Sequence, residues 1–135
     1  MTGERRTVFY VDDSPTNLSV GKNVLADDYV VFTLTSAQKL FELLEKKIPD
    51  LILLDVEMPD IDGYEALEKM RENRRYDGIP VIFATGTEDE REEYGFELGA
   101  YDYVYKPFSA ASLLKRIANC IELSELRKKL RGFEL

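Results

Sequence analysis

The sequence predicts an α/β domain, doubly wound, with a parallel sheet between two layers of helices. Three observations lead there. Short apolar runs alternate with stretches of helical spacing along the whole chain. Two of the runs, Leu51–Leu54 and Val81–Ala84, are apolar throughout, as strands covered on both faces should be. Five such runs in strict alternation with five helical stretches imply parallel strands joined by right-handed crossovers.

The strand candidates are Thr7–Val11, Tyr29–Leu34, Leu51–Leu54, Val81–Ala84 and Tyr103–Tyr105, rich in Val, Ile, Tyr and Phe. After the first, Ser14 reads as an N-cap followed by a proline, Pro15, at the first helical position. Thr35 with Gln38, and Thr87 with Glu90, each fit a capping box. Ser109 is placed to cap the last helix after Pro107. Leu40, Leu43 and Leu44 recur at helical spacing, as do Ala66, Leu67 and Met70, and then Leu113, Leu114, Ile117 and Ile121. Beyond Ile121 come Leu123, Leu126, Leu130 and Phe133. They either continue the last helix as a coiled-coil seam or dock a frayed helix end. The expected organisation is one domain over residues 1–122 and a helical extension over residues 123–135.

A length of 135 residues suits one domain with a core of its own. With 26 acidic against 18 basic residues the net charge is −8, which argues against a large surface for nucleic-acid phosphates. Direct nucleic-acid binding is not expected. The chain has no histidine, so imidazole zinc sites, Ser-His triads and histidine autophosphorylation are excluded within it. Cys120 is the single cysteine and fits a reducing compartment. No apolar run approaches the ~20 residues of a membrane span, and the start, Met1-Thr2-Gly3-Glu4, carries no cleavage signature. The expectation is a cytoplasmic protein without a membrane contact.

The polar residues are informative by position. Asp12 and Asp13 follow the first strand, Asp55 the third, Thr85 the fourth and Lys106 the fifth. In an open parallel sheet, ligand sites form outside the carboxyl ends of the strands. Three carboxylates brought within ~4 Å repel by a few kcal/mol per pair at an effective dielectric near 20. Lys106 supplies one positive charge, and a hard divalent cation is the natural complement. Mg2+ suits such an inventory of oxygens, with Mn2+ able to substitute. Beside it Asp55 has the role of a nucleophile that forms an aspartyl phosphate, with Lys106 and Thr85 on the phosphoryl oxygens.

At these residues the chain resembles the response-regulator receiver family of two-component signalling. The resemblance rests on Val11-Asp12-Asp13-Ser14, on Leu54-Asp55-Val56-Glu57-Met58-Pro59 and on Gly63. It continues through Ala84-Thr85-Gly86, Gly99-Ala100 and Asp102-Tyr103 to Lys106-Pro107, over about residues 6–122. It implies a flavodoxin-like (βα)5 sandwich with strand order 2-1-3-4-5. Asp55 is then the phosphoacceptor, and Asp13, Asp55 and the Glu57 backbone carbonyl bind Mg2+ directly, with Asp12 acting through water. Lys106 contacts the phosphoryl group, and Lys106–Pro107 is a cis peptide. Thr85 and Tyr103 form the switch, Tyr103 turning inward as the Thr85 hydroxyl moves to the phosphate. The implied partner is a histidine kinase or a phosphotransfer protein. A homodimer is expected through the face of the fourth helix, fifth strand and fifth helix, or through the C-terminal helix. Gly86 stands where the family often has alanine and opens access to the pocket. Glu57 and Thr87 occupy variable positions that tune phosphate lifetime.

Blander readings stand beside these. Asp12 and Asp13 also suit a strand-end turn, Tyr101, Tyr103 and Tyr105 also suit strand packing, and Glu88-Asp89-Glu90-Arg91-Glu92-Glu93 reads as a solvated helix face. The functional rivals are a phosphorylation-independent interaction module, a flavin carrier and an aspartate-nucleophile phosphatase. Asp12 and Asp13 would repel a flavin phosphate, and no insertion supplies the cap such a phosphatase needs. As a receiver, the chain turns over only its own phosphate. The leucines past Ile121 exceed what a receiver needs, which favours the front portion of a longer protein over a stand-alone regulator.

Overall fold

A computed structural model describes residues 5–87 and 90–133, Phe133 by its backbone alone. The sequence reading of Met1–Glu4 therefore lies outside the described residues, as do Glu88 and Asp89 of the acidic run. Strands β1 (Arg6–Val11), β2 (Tyr29–Leu34), β3 (Leu51–Asp55), β4 (Val81–Thr85) and β5 (Asp102–Tyr105) form one sheet in the order β2-β1-β3-β4-β5. Every pairing is parallel. Helices α1 (Pro15–Leu25), α2 (Ala37–Leu44), α3 (Gly63–Arg71), α4 (Glu92–Glu97) and α5 (Ala110–Phe133) alternate with the strands, with a 3-10 turn at Arg74–Tyr76 before β4. The predicted fold class and strand order are those observed.

Each strand divides its side chains between two cores. Ile52, Leu54 and Phe83 face one, with α2 and α3. Leu51, Leu53, Ile82 and Ala84 face the other, with α1 and α5. The period of two in a strand is what sends neighbours to opposite sides. All five residues of β3 and of β4 are buried, which is why these runs carry no polar alternation. Leu40, Leu44, Leu67, Met70, Leu113 and Ile117 close the two layers. Burying a side chain of that size is worth ~1.5–3 kcal/mol each.

Helix starts differ from expectation at two places. Ser14 caps α1 as expected, accepting from the Asn17 N–H. At α2 the cap is Ser36, not Thr35: Ser36 is extended (φ −159°, ψ 162°), and its hydroxyl accepts from the Lys39 N–H. At α4 the residue before the first turn is Arg91, with no side-chain cap, so Thr87 and Glu90 form no capping box. Among the described residues of the acidic run, Glu92 and Glu93 lie in the first turn of that helix. At α5 the Ser109 hydroxyl accepts from the Ser112 N–H, as expected. The same helix runs unbroken from Ala110 to Phe133. Leu123, Leu126 and Leu130 lie exposed along its later turns.

Candidate functional site

The parallel register sets the carboxyl ends of β1, β3, β4 and β5 side by side, so the residues just past them converge. Carboxylate oxygens of Asp12, Asp13 and Asp55 lie within 4.8 Å of one another. Asp12 and Asp55 are buried, and Asp13 is exposed at the rim. Lys106 reaches in from the end of β5, its Nζ 3.1 Å from Asp12 Oδ2 and 3.2 Å from Asp55 Oδ1. The structure thus brings together Asp12, Asp13, Asp55 and Lys106. The Glu57 N–H donates to Asp55 Oδ1 at 3.2 Å, which holds the turn after β3 against the same carboxylate.

The two buried acids differ in environment. Asp12 is saturated: Tyr10 Oη, Asn17 Nδ2 and Lys106 Nζ donate to Oδ2, and the Ser14 N–H donates to Oδ1 at 2.9 Å. Burial and the Asp12 charge push the Asp55 carboxyl up to about 6, against the opposing pull of Lys106 and the Glu57 N–H. Burial acts to lower the Lys106 ammonium, but the Asp55 and Asp12 charges outweigh it and raise the group above its ordinary value. Burial, with the Asp12 charge behind it, likewise raises the Tyr10 hydroxyl. Tyr10 and Asn17 went unnoticed in the sequence, although Tyr10 sits two residues before Asp12 and so on the same face of the strand.

Thr85 ends β4, buried, and its Oγ1 donates to the Thr87 carbonyl at 2.9 Å while accepting from the Thr87 N–H. Tyr103 points inward and is 4% exposed. Its hydroxyl pairs with that of Tyr64 at 2.8 Å and also donates to the Glu92 carbonyl at 3.2 Å. The rings of Phe83 and Phe96 pack against it with centroids 5.4 and 5.2 Å away. Tyr105, by contrast, is exposed, and its hydroxyl reaches Glu92 Oε2. Tyr64 and Gly95 complete the Tyr103 pocket, and neither was singled out for it in the sequence. The Lys106–Pro107 peptide is cis. A Cβ on Gly86 would meet no atom within 4 Å, so space does not require glycine there.

Gly63 opens α3 directly under the turn after β3. A Cβ there would run into the Asp55 carbonyl oxygen and lie 3.0 Å from Val56 Cα. The absence of a side chain therefore lets α3 approach the strand end that carries Asp55. Immediately before it, Asp62 caps α3 through the Glu65 N–H and pairs with Arg91, 3.2 Å away, which also lies 4.4 Å over the Tyr64 ring.

The model of the response regulator receiver domain family matches residues 8–118. The chain belongs to that family. A Vibrio cholerae protein named as a probable cyclic di-GMP phosphodiesterase is 42% identical over 112 residues, 82% of this chain and 25% of its own length. The alkaline phosphatase synthesis transcriptional regulatory protein PhoP of Bacillus subtilis is 30% identical, over 90% of this chain and 50% of its own length. The chain thus spans a quarter to a half of these two relatives. Among solved structures, the chemotaxis protein CheY4 of Vibrio cholerae is 27% identical with a TM-score of 0.81, covering 87% of this chain and 99% of that one. A CheY-like receiver domain protein of Methanospirillum hungatei is 28% identical with a TM-score of 0.84, covering 92% and 99%. The chain is a receiver domain of the response-regulator type, a module of two-component signalling. No helix among the described residues is long and apolar enough to cross a membrane.

Proposed function

We propose that Asp55 accepts a phosphoryl group from a histidine kinase or phosphotransfer protein, and that this charge switches a partner or output segment. The observation that carries the reading is the convergence of Asp12, Asp13 and Asp55 on one point with Lys106 between two of them. An Asp55 oxygen attacks the phosphorus of a phosphohistidine; the new O–P bond forms as the P–N bond breaks, and the imidazole leaves. Asp55 must be ionised to attack, and its carboxyl, held near 6, is largely so at neutral pH. The Lys106 ammonium lies 3.2 Å from Asp55 Oδ1, ready to meet the incoming charge.

Three carboxylates and one ammonium leave the cluster at a net −2, and all its donors are hard oxygens. That inventory fits Mg2+, with Mn2+ as a substitute. Asp13, Asp55 and the Glu57 carbonyl would hold the ion, and Asp12, already saturated, would act through water. Bound there, the ion would neutralise phosphoryl charge. The switch we propose pairs Thr85 with Tyr103: the phosphoryl group draws Thr85 Oγ1 off the Thr87 carbonyl, and the inward Tyr103 is favoured. The signal would then leave through α4 and β5 to a homodimer or a partner, or through the extension over residues 123–135 to a following segment. The setting is cytoplasmic, and the protein turns over only its own phosphate.

The test is mass spectrometry after incubation with a small phosphoryl donor and Mg2+. The wild-type chain should gain one phosphoryl group, and Asp55→Asn should gain none. An unlabelled wild-type chain would instead favour a module that works without phosphorylation.

A further inference from the structure

The opposite end of the sheet carries a second arrangement of polar residues. Charge is unevenly spread in this chain of net −8: the last turns of α5 read Arg127-Lys128-Lys129-Leu130-Arg131. Those turns do not leave the body. The Ser124 hydroxyl, buried, donates to the Gly78 carbonyl at 3.2 Å, and Glu125 pairs with Arg6 at the start of β1. Between the docked helix and the body lies a cleft of about 470 Å3 whose walls include Arg71, Tyr101, Arg127, Leu130, Arg131 and Asp77. It opens before the amino ends of β4 and β5, about 16 Å from the carboxyl ends, the span of a five-residue strand.

Its cations outnumber its anions. Arg71, at the end of α3, is half-buried, and its donors go to backbone carbonyls: Nε to Leu98 at 2.9 Å and Nη1 to Tyr76 at 3.4 Å. Burial pulls this guanidinium below its ordinary value, with Asp77 and Tyr101 partly opposing that. Arg127 lies over the Tyr101 ring, 4.9 Å from its centroid. Arg131 follows four residues on, where like charges on a helix repel by ~0.2–0.5 kcal/mol. Among the described residues none of the three arginines forms an ion pair. Three guanidiniums and Asp77 leave the cleft at a net +2.

We propose that this cleft binds a small anion with vicinal phosphates, such as pyrophosphate or a nucleoside diphosphate, and that the anion ties the last turns of α5 to the body. Planar guanidiniums take phosphate oxygens two at a time, and the negative charge of adjoining phosphates offsets the surplus. The volume lies in the range of small-ligand sites. Concavity, with Arg71 recessed between Leu98 and Tyr76, favours a small ligand over a flat membrane or a duplex. Leu130, 62% exposed, offers an apolar edge to a base.

The site is independent of the Asp55 reading, and the test keeps the two apart. The full chain is titrated with pyrophosphate and with ADP by calorimetry and amide NMR, in EDTA and at constant ionic strength. Saturable binding is expected, with amide shifts around Gly78, Gly99 and Tyr101. Arg127→Gln with Arg131→Gln should weaken it at least tenfold, and Asp55→Asn should leave it unchanged. Tighter binding of ADP than of pyrophosphate supports a nucleotide, and equal binding supports the phosphates alone. Shifts confined to Asp12 and Lys106, or a titration matched by sodium chloride, overturn the proposal. So does double-variant binding equal to wild type, or binding to phosphatidylglycerol vesicles that pyrophosphate does not displace.

Discussion

The Tyr103 hydroxyl lies 2.8 Å from that of Tyr64, in a pocket that exists because residue 95 has no side chain. A Cβ on Gly95 would collide with the Tyr103 hydroxyl and lie 3.0 Å from Tyr64 and 3.1 Å from Phe83. Gly95→Ala should therefore expel the Tyr103 ring toward solvent. The expected cost is about 2 kcal/mol, within the range for overpacked cores. Urea unfolding and the NMR signals of the Tyr103 ring read both effects; an unmoved ring with native stability contradicts the account. Tyr64→Phe, which only removes one hydroxyl, should cost nearer 1 kcal/mol.

Gly63→Ala tests how α3 is set against the phosphoacceptor strand. Its Cβ meets backbone at Asp55 and Val56, which cannot swing aside as a side-chain tip can. Loss of at least about 2 kcal/mol is expected, of the size found for forced backbone shifts. Phosphorylation of Asp55 should slow with it, since the attacking carboxylate moves. Equal melting temperatures for the variant and the wild type would show that α3 has room to spare.

The raised Asp55 carboxyl makes stability depend on pH. An acid whose folded value, about 6, lies above its ordinary 3.8 binds its proton more tightly in the folded state. The folded protein is thus most favoured below that ordinary value, and the advantage fades as pH rises through 6. Two units correspond to roughly 3 kcal/mol by the conversion of 1.36 kcal/mol each. Asp55→Asn resembles the protonated form. In EDTA it should stabilise the fold by about 2–3 kcal/mol at pH 7.5 and leave it nearly unchanged at pH 4. Thermal melts across that range decide, and a pH-independent gain would exclude the argument.

Divalent metal should act in the opposite sense. If the surplus negative charge is what Mg2+ relieves, adding it at ~100 times its dissociation constant should stabilise the wild type by about 2.7 kcal/mol at pH 7.5. The effect should shrink below pH 6, where Asp55 takes a proton, and should largely vanish in Asp13→Asn. Sodium at matched ionic strength is the control, and an equal stabilisation by sodium would point to general screening.

Much of this protein was legible before its structure. The strands were placed to within a residue, because continuous apolar runs such as Leu51–Leu54 have few other ways to be buried. Helix starts were less secure. Thr35 and Ser36 carry the same hydroxyl signal, and only backbone geometry, extended at Ser36, selects between them. Before α4 the Thr85 hydroxyl closes a turn on the Thr87 backbone, and the helix starts only at Glu92, too far on for Thr87 to cap it.

What the sequence by itself determined was the alternation of strand and helix and the chemistry of the strand ends. Asp12, Asp13, Asp55 and Lys106 had to meet once the strands were parallel and adjacent, because a strand end is a fixed place in such a sheet. Tertiary structure alone decided the contacts that cross between elements: Tyr103 of β5 with Tyr64 of α3 over 39 residues, and Arg71 facing Arg127 across a cleft. These depend on how closely α3, α4 and α5 approach one another. That distance is set by the volumes of all the side chains between them, and no local pattern records it.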